Sequence, residues 1–161
     1  MKKLIFIRHA KSSWEHDLSD INRPLMKRGI NDAKLVANRL LESKFQIDKV
    51  ISSDAVRAMT TAEIFLDTMR FAEDSLILNH NLYDFSGEQV LNVIKSCSNS
   101  INTLMLFGHN YALTNIVNKY GSLYIENVPT SGVVVLNCNI SDWKNISKGE
   151  TILTIFPRDL R

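Results

Sequence analysis

The sequence contains few of the residues that mark metal-bound or disulfide-stabilised proteins. It has two cysteines among 161 residues, Cys97 and Cys138. They form no CxxC pair, have no neighbouring histidine at metal-ligand spacing, and begin no Cys-x5-Arg loop. These absences argue against a thiolate metal site, a disulfide framework and a cysteine-dependent phosphatase. Two free thiols in a reducing compartment are predicted instead.

An excess of charge is also missing. The chain carries 19 lysines and arginines against 17 aspartates and glutamates, a formal net charge of +2. No long basic run and no alternation of basic with aromatic residues accompanies this small excess, so nucleic acid is not a predicted partner. The hydrophobic fraction of 45% and the charged fraction of 22% are ordinary for a soluble globular protein. The length suits a single domain that spans residues 1–161.

Long apolar runs are absent too. The N-terminal run Leu4–Ile7 ends at Arg8 after four residues. A signal peptide needs an apolar core of about 7–15 residues, and a membrane-spanning helix needs roughly 20. The sequence therefore predicts a soluble, cytoplasmic protein without a membrane partner.

The chain does contain short apolar runs, and stretches of helical periodicity separate the first four of them. The runs are Leu4–Ile7, Val50–Ile51, Leu76–Leu78, Leu104–Phe107, Val133–Leu136 and Ile152–Phe156. This alternation predicts an α/β fold with three α/β/α layers around a mostly parallel central sheet. A polar stretch without a helical stripe joins the last two runs, so we expect an antiparallel strand near the C-terminal end, at the edge of the sheet. Helix caps are predicted at Ser53, Ser86 and Asn110.

Arginines and histidines follow three of these runs. Arg8-His9 comes after the first run, Arg57 lies in the helix after the second, and Gly108-His109 comes after the fourth. The carboxyl ends of parallel strands share one edge of a sheet, where α/β proteins bind ligands. Helix N-termini behind this edge would favour an anion. The irregular segment 10–28 leaves the sheet after His9, and we expect it to form a wall of the site.

Two guanidiniums and two imidazoles at one edge suit phosphoryl transfer through a histidine. A neutral His9 would attack phosphorus, while Arg8 and Arg57 would hold the equatorial oxygens. His109 would donate a hydrogen bond to the same oxygens. Ser12, close in sequence to His9, is a further candidate for contact with the phosphoryl group.

The acid for the leaving group is predicted at Asp84, in the loop after the third apolar run. Partial burial between Tyr83 and Phe85 is expected to raise the pKa of its carboxyl and to keep it protonated near neutral pH. Glu88 is the second choice, because a position in the first turn of a helix already gives it a structural role.

At this point several motifs resemble a known family, the histidine phosphatase superfamily with its phosphoglycerate mutase-like fold. They are Ile7–Lys11, Arg23–Leu25, Arg28–Gly29, Ser52–Ala58 and Gly108–Asn110. The short chain resembles the small SixA-type phosphohistidine phosphatase branch. The resemblance implies His9 as the phosphorylated nucleophile and Arg8, Arg57 and His109 as the phosphate pocket. It implies no metal and no nucleotide cofactor, and it matches Asp84 to the region where larger members carry an acidic donor. Ala10 departs from the usual Arg-His-Gly motif.

The predicted function is a metal-independent phosphatase that forms phospho-His9, with a phosphohistidine-bearing protein as its substrate. A small-molecule phosphomonoesterase or mutase, acting on a phosphorylated metabolite, is the first alternative. A non-catalytic module that binds a phosphorylated ligand is the second; it would need the arginines but not an aligned His9. A metallohydrolase that uses His9 and His109 is a third alternative, but two histidines without a carboxylate partner are few ligands for a metal ion.

Overall fold

The computed structural model describes all 161 residues and contains one six-stranded sheet. The strands are β1 (Lys2–Arg8), β2 (Lys49–Ser52), β3 (Leu76–Leu78), β4 (Thr103–Gly108), β5 (Val133–Cys138) and β6 (Glu150–Ile155). The helices are α1 (Lys27–Leu41), α2 (Val56–Thr68), α3 (Glu88–Lys95) and α4 (Ala112–Tyr120), and short 3-10 turns lie between these elements. None of the helices has the length and apolar character that a bilayer crossing requires.

The strand order is β3-β2-β4-β1-β5-β6. The first four strands in this order are parallel, and β5 pairs antiparallel with β1 and with β6. The predicted α/β class, with a mostly parallel sheet and an antiparallel strand near the C-terminal end, is confirmed. The antiparallel part comprises two strands, with β6 at the predicted edge and β5 inside the sheet between β1 and β6. Val133–Leu136 are fully buried, so β5 needs a neighbour on each side.

Two apolar cores cover the two faces of the sheet. Successive residues of β1 alternate between them: Leu4 and Phe6 belong to the core beneath α3 and α4, and Ile5 and Ile7 to the core beneath α1 and α2. All four side chains are inaccessible to solvent. Each large apolar side chain contributes about 1.5–3 kcal/mol to folding stability when fully buried. The packing of β1 therefore fixes the position of the residues that follow it.

The parallel strands β2, β4 and β1 are neighbours, and the chain stays in register just beyond their carboxyl ends. The amide of His9 donates to the carbonyl of Gly108 at 3.0 Å, and the amide of Ser53 donates to the carbonyl of Phe107 at 3.0 Å. These bonds extend the sheet by one residue past β1 and β2. The residues at this edge are therefore held by the sheet backbone and not by a free loop.

Candidate active site

His9 lies at the centre of this edge with one ring nitrogen already engaged. Its Nδ1 lies 2.8 Å from the carbonyl oxygen of Ala10. Since a carbonyl only accepts hydrogen bonds, Nδ1 carries the proton and Nε2 keeps its lone pair. Burial lowers the pKa of His9 well below 6.5, and the nearby charges of Arg57 and Arg8 act in the same direction. His9 is therefore a neutral imidazole near pH 7, in the form that a nucleophile needs.

Arg57 is the second residue of α2 and is 98% buried, with 2% of its surface exposed. Its Nε lies 3.4 Å from Nε2 of His9. Thr61, one turn further along α2, ties the helix to the end of β1: its hydroxyl donates to the Arg57 carbonyl at 2.7 Å and accepts from the amide of Ala10 at 2.9 Å. The guanidinium and the nucleophile are thus joined through backbone as well as side chains.

His109 faces His9 from the end of β4, with 5.1 Å between the two ring centroids. Its Nε2 lies 2.8 Å from the hydroxyl oxygen of Ser53, which also accepts from the amide of Ala55. In the tautomer in which Ser53 donates to Nε2, the proton of His109 is on Nδ1, a buried atom without a partner in the protein. Burial, followed by the charge of Arg57, lowers the pKa of His109 to about 3.

These contacts change the role expected for Ser53. The sequence predicts Ser53 as a cap of α2, but the helix begins at Val56 and its cap residue is Ala55. Ser53 orients His109 instead. Asn110 does act near the start of α4, where its side-chain oxygen accepts from the amide of Thr114 at 3.2 Å.

Arg8 completes the group from the last position of β1. Its Nη1 donates to the carbonyl of Val128 at 2.9 Å, and its Nε is buried without a hydrogen-bond partner. Burial is the largest of the effects that lower its pKa, and the charge of Arg57 adds to it. Two cations and two neutral imidazoles therefore meet in one largely buried place, which we call the cup (Arg8, His9, Arg57 and His109).

The cup has donors that a dianion would satisfy. The Nε of Arg8 and the Nδ1 of His109 are buried polar atoms without partners in the protein, and unsatisfied buried donors are rare. No three His, Cys, Asp or Glu side chains are grouped as a metal site. A surface groove lies between α2 and β3, and none of its lining residues belongs to the cup.

Asp20 is a member of the site that the sequence did not reveal. It lies in a 3-10 turn of segment 10–28, and it contacts Arg57 twice: Nη1 donates to its carbonyl at 2.6 Å and Nη2 to its carboxylate at 2.9 Å. Tyr83 donates to the same carboxylate at 2.5 Å. The two residues are 37 positions apart, and nothing in the local pattern around Asp20 distinguishes it from the other polar residues of the segment.

Asp84 has a different environment from the one expected. Its two carboxylate oxygens accept hydrogen bonds from the amides of Ser86, Gly87, Gln89 and Val90. Burial alone would raise the pKa of this carboxyl, but these bonds lower it on balance. The expected rise in pKa is therefore wrong. Asp84, and not Ser86, caps the N-terminus of α3.

Ser12 lies in the wall that segment 10–28 forms beside the cup. Its backbone makes an antiparallel bridge with Leu25, and the amide of Ser13 donates to the carbonyl of Pro24 at 2.8 Å. Ser12 is 7% exposed. Its contact with a phosphoryl oxygen stays a prediction.

Known proteins share both the sequence pattern and the fold. The model of the histidine phosphatase superfamily (branch 1) matches residues 4–90. An uncharacterized protein of Mycobacterium tuberculosis is 29% identical over 162 residues, which cover 93% of this chain and 98% of that protein.

Solved structures extend the likeness to the whole chain. The protein histidine phosphatase SixA complexed with tungstate matches with a TM-score of 0.83 and 20% identity, covering 99% of both chains. A mycobacterial glucosyl-3-phosphoglycerate phosphatase matches with a TM-score of 0.67 and 12% identity, covering 95% of this chain and 98% of its own. At these identities the structures show a shared fold. With the family model matched over more than half of its length, this chain belongs to the histidine phosphatase superfamily.

Proposed function

We propose that the protein is a phosphatase that hydrolyses a phosphorylated substrate through a phosphohistidine intermediate on His9. The observation that carries this proposal is the unprotonated Nε2 of a neutral, buried His9, which accepts from Nε of Arg57 at 3.4 Å and lies beside the ring of His109. A binding module would need the cations alone. An imidazole with its lone pair directed among them is the arrangement of a nucleophile.

In the first step, Nε2 of His9 attacks phosphorus and the bond from phosphorus to the leaving group breaks. Arg8 and Arg57 hold the equatorial oxygens and balance their charge as the phosphoryl group moves. The Nδ1–H of His109 donates to one of these oxygens. A preorganised donor of this kind is typically worth on the order of 10²–10³ in rate.

In the second step, a water oxygen bonds to phosphorus as the bond to Nε2 breaks. The proton on Nδ1 of His9 stays on its hydrogen bond to the Ala10 carbonyl throughout, so the phosphorylated ring is cationic and leaves readily. A proton from the water passes to solvent, inorganic phosphate departs, and His9 returns to its neutral form. No step draws a proton from a protein carboxyl.

The leaving group is best a nitrogen, and this favours protein phosphohistidine as the substrate. Both oxygens of Asp84 accept backbone hydrogen bonds, and the pKa of Asp20 is about 2. Neither carboxyl is a proton donor near pH 7. A phosphoramidate nitrogen takes its proton from solvent and then departs without an acid from the protein, whereas an alkyl ester oxygen depends on one.

The surface around the cup supports a macromolecular substrate. The floor is nearly closed, since His9 is 7% and His109 1% exposed, so the remainder of any substrate must contact the rim. Phe85 packs against His109 and is 47% exposed, while Trp14 stacks on Arg23 and is 75% exposed. Exposed aromatic side chains of this kind are frequent anchors of protein interfaces. Small metabolites are more often held in enclosed pockets with converging polar groups.

A small phosphorylated metabolite is the second candidate substrate, favoured by the likeness to a glucosyl-3-phosphoglycerate phosphatase. The likeness to a SixA structure complexed with tungstate supports a tetrahedral oxyanion as the ligand of the cup in either case.

The test is hydrolysis of 4-nitrophenyl phosphate by the wild type, by His9→Ala and by His16→Ala, which changes an exposed histidine of the same segment. We expect His9→Ala to lose on the order of 10³ or more in rate and His16→Ala to keep the wild-type rate. Vanadate should inhibit the wild type, and EDTA should leave its rate unchanged. Equal rates for His9→Ala and the wild type would refute the mechanism. The relative kcat/KM for a phosphohistidine protein and for sugar phosphates then decides between the two substrate classes.

A further inference from the structure

The carboxylate of Asp20 lies at the mouth of the cup and accepts hydrogen bonds from three side chains. It accepts from Nη2 of Arg57 at 2.9 Å, from Nε of Arg23 at 3.2 Å and from the hydroxyl of Tyr83, while Nη1 of Arg57 donates to the backbone carbonyl of Asp20. The side chain of Asp20 is 44% exposed, whereas that of Arg57 is 3% exposed. Asp20 therefore covers the outer side of Arg57 and faces solvent itself.

This contact determines which edge of Arg57 is free. A guanidinium binds an oxyanion through a pair of nitrogens, either the two terminal ones or Nε with one of them. Asp20 engages both terminal nitrogens, and Nε is directed towards His9. The edge that contains Nε is thus left for a phosphoryl group next to the nucleophile, and Asp20 holds Arg57 in that orientation.

We infer that Asp20 sets the specificity of the site for the leaving group: its carboxylate admits neutral or cationic leaving groups and disfavours those that carry a second anion beside the phosphoryl group. The inference deepens the proposed function and rests on it. Because the floor of the cup is nearly closed, the leaving group of a bound substrate must lie at the mouth, next to this carboxylate.

Two arginines surround the carboxylate at the mouth of the cup. Arg57 and Arg23 both pair with Asp20, so the carboxylate offsets cations that would otherwise attract a second anion. Removal of the carboxylate frees Nη2 of Arg57 and Nε of Arg23 for such a group. Although partial burial raises it, the hydrogen bonds from Tyr83, Arg57 and Arg23 lower the pKa of Asp20 to about 2. The group is an anion at every pH at which the enzyme would be assayed.

The test compares two activated esters that differ by one carboxylate, 4-nitrophenyl phosphate and 3-carboxy-4-nitrophenyl phosphate. We expect the wild type to prefer the ester without the carboxylate, and Asp20→Asn to shift the ratio of kcat/KM by about tenfold towards the carboxylate ester, an effect that weakens in high salt. Asp20→Glu should restore the wild-type preference. Asp17→Asn, which changes an exposed carboxylate of the same segment, is the matched control.

Equilibrium binding of the two esters keeps this test separate from the proposed function. In a His9→Ala background neither ester is turned over, so their dissociation constants can be compared with and without Asp20→Asn. The same shift in the ratio supports the inference even if the wild type proves inactive on both esters. An unchanged ratio, or an equal loss of affinity for both esters, overturns it and leaves Asp20 with only a structural role.

Discussion

Acidification should destabilise the folded protein through the buried imidazole of His109. The pKa of His109 is about 3 in the folded protein and 6.5 in an unperturbed chain. Between these values the unfolded chain binds a proton that the folded protein does not, so acid favours unfolding. The stability that this histidine contributes is complete above pH 6.5 and is lost progressively as the pH falls towards 3. His9 acts in the same direction, since its pKa is also lowered by burial.

The size of the effect follows from the distance between the assay pH and the pKa of the unfolded chain. At about pH 5, roughly 1.5 pH units below that pKa, one buried neutral histidine lowers the free energy of unfolding by about 2 kcal/mol relative to about pH 8. Asp20 contributes little in this range. Its carboxyl is almost fully ionised at about pH 5 and above, both with its ordinary pKa of 3.8 and with its folded pKa of about 2.

The measurement is urea unfolding of the wild type and His109→Gln at the two pH values, without phosphate or another oxyanion that would stabilise the folded state by binding. Glutamine keeps a polar group near Ser53 but does not titrate. We expect the loss of stability on acidification to be about 2 kcal/mol smaller in His109→Gln, while His16→Gln, an exposed control, behaves as the wild type. An equal loss in His109→Gln and wild type would show that the fold does not hold this imidazole neutral.

Two further substitutions test the local structure around the site. Asp84→Ala removes the acceptor of the first amides of α3 and should lower the free energy of unfolding by about 1–2 kcal/mol. We expect kcat for a phosphohistidine protein to stay unchanged. A fall in kcat at unchanged stability would instead indicate that Asp84 is the acid. Gly29→Ala places a Cβ 2.2 Å from the carbonyl oxygen of Lys11 and should cost about 1–3 kcal/mol in urea unfolding. Its control is Gly108→Ala, whose Cβ meets its nearest atom, on Leu113, at 3.6 Å, and an equal cost for both would contradict the predicted clash.

The central part of the site could be predicted from the sequence because it depends on strand ends. An apolar run that is buried on both faces identifies a strand from its own residues, and a parallel sheet brings the carboxyl ends of such strands to one edge. Arg8, His9 and His109 come directly at these ends. Their meeting therefore needs only the order of elements along the chain.

The neighbours of these residues could not be predicted in the same way. The pKa of Asp84 depends on four amides that a turn brings to its carboxylate, and the same sequence in another backbone conformation would leave the carboxyl free. β5 lies between β1 and β6 through pairings that join distant segments. Hydrophobic patterning predicts that a residue is buried, but it does not predict which element packs against it.

The sequence by itself determined the α/β class, the strands that end at the site and the set of cationic and imidazole side chains that they carry. Only the tertiary structure decided that Asp20 covers Arg57 and that Ser53 orients His109. The physical reason is range: periodicity and apolar runs arise from neighbours along the chain, whereas these hydrogen bonds join side chains whose approach depends on the path of the intervening loops and on the packing of the whole sheet.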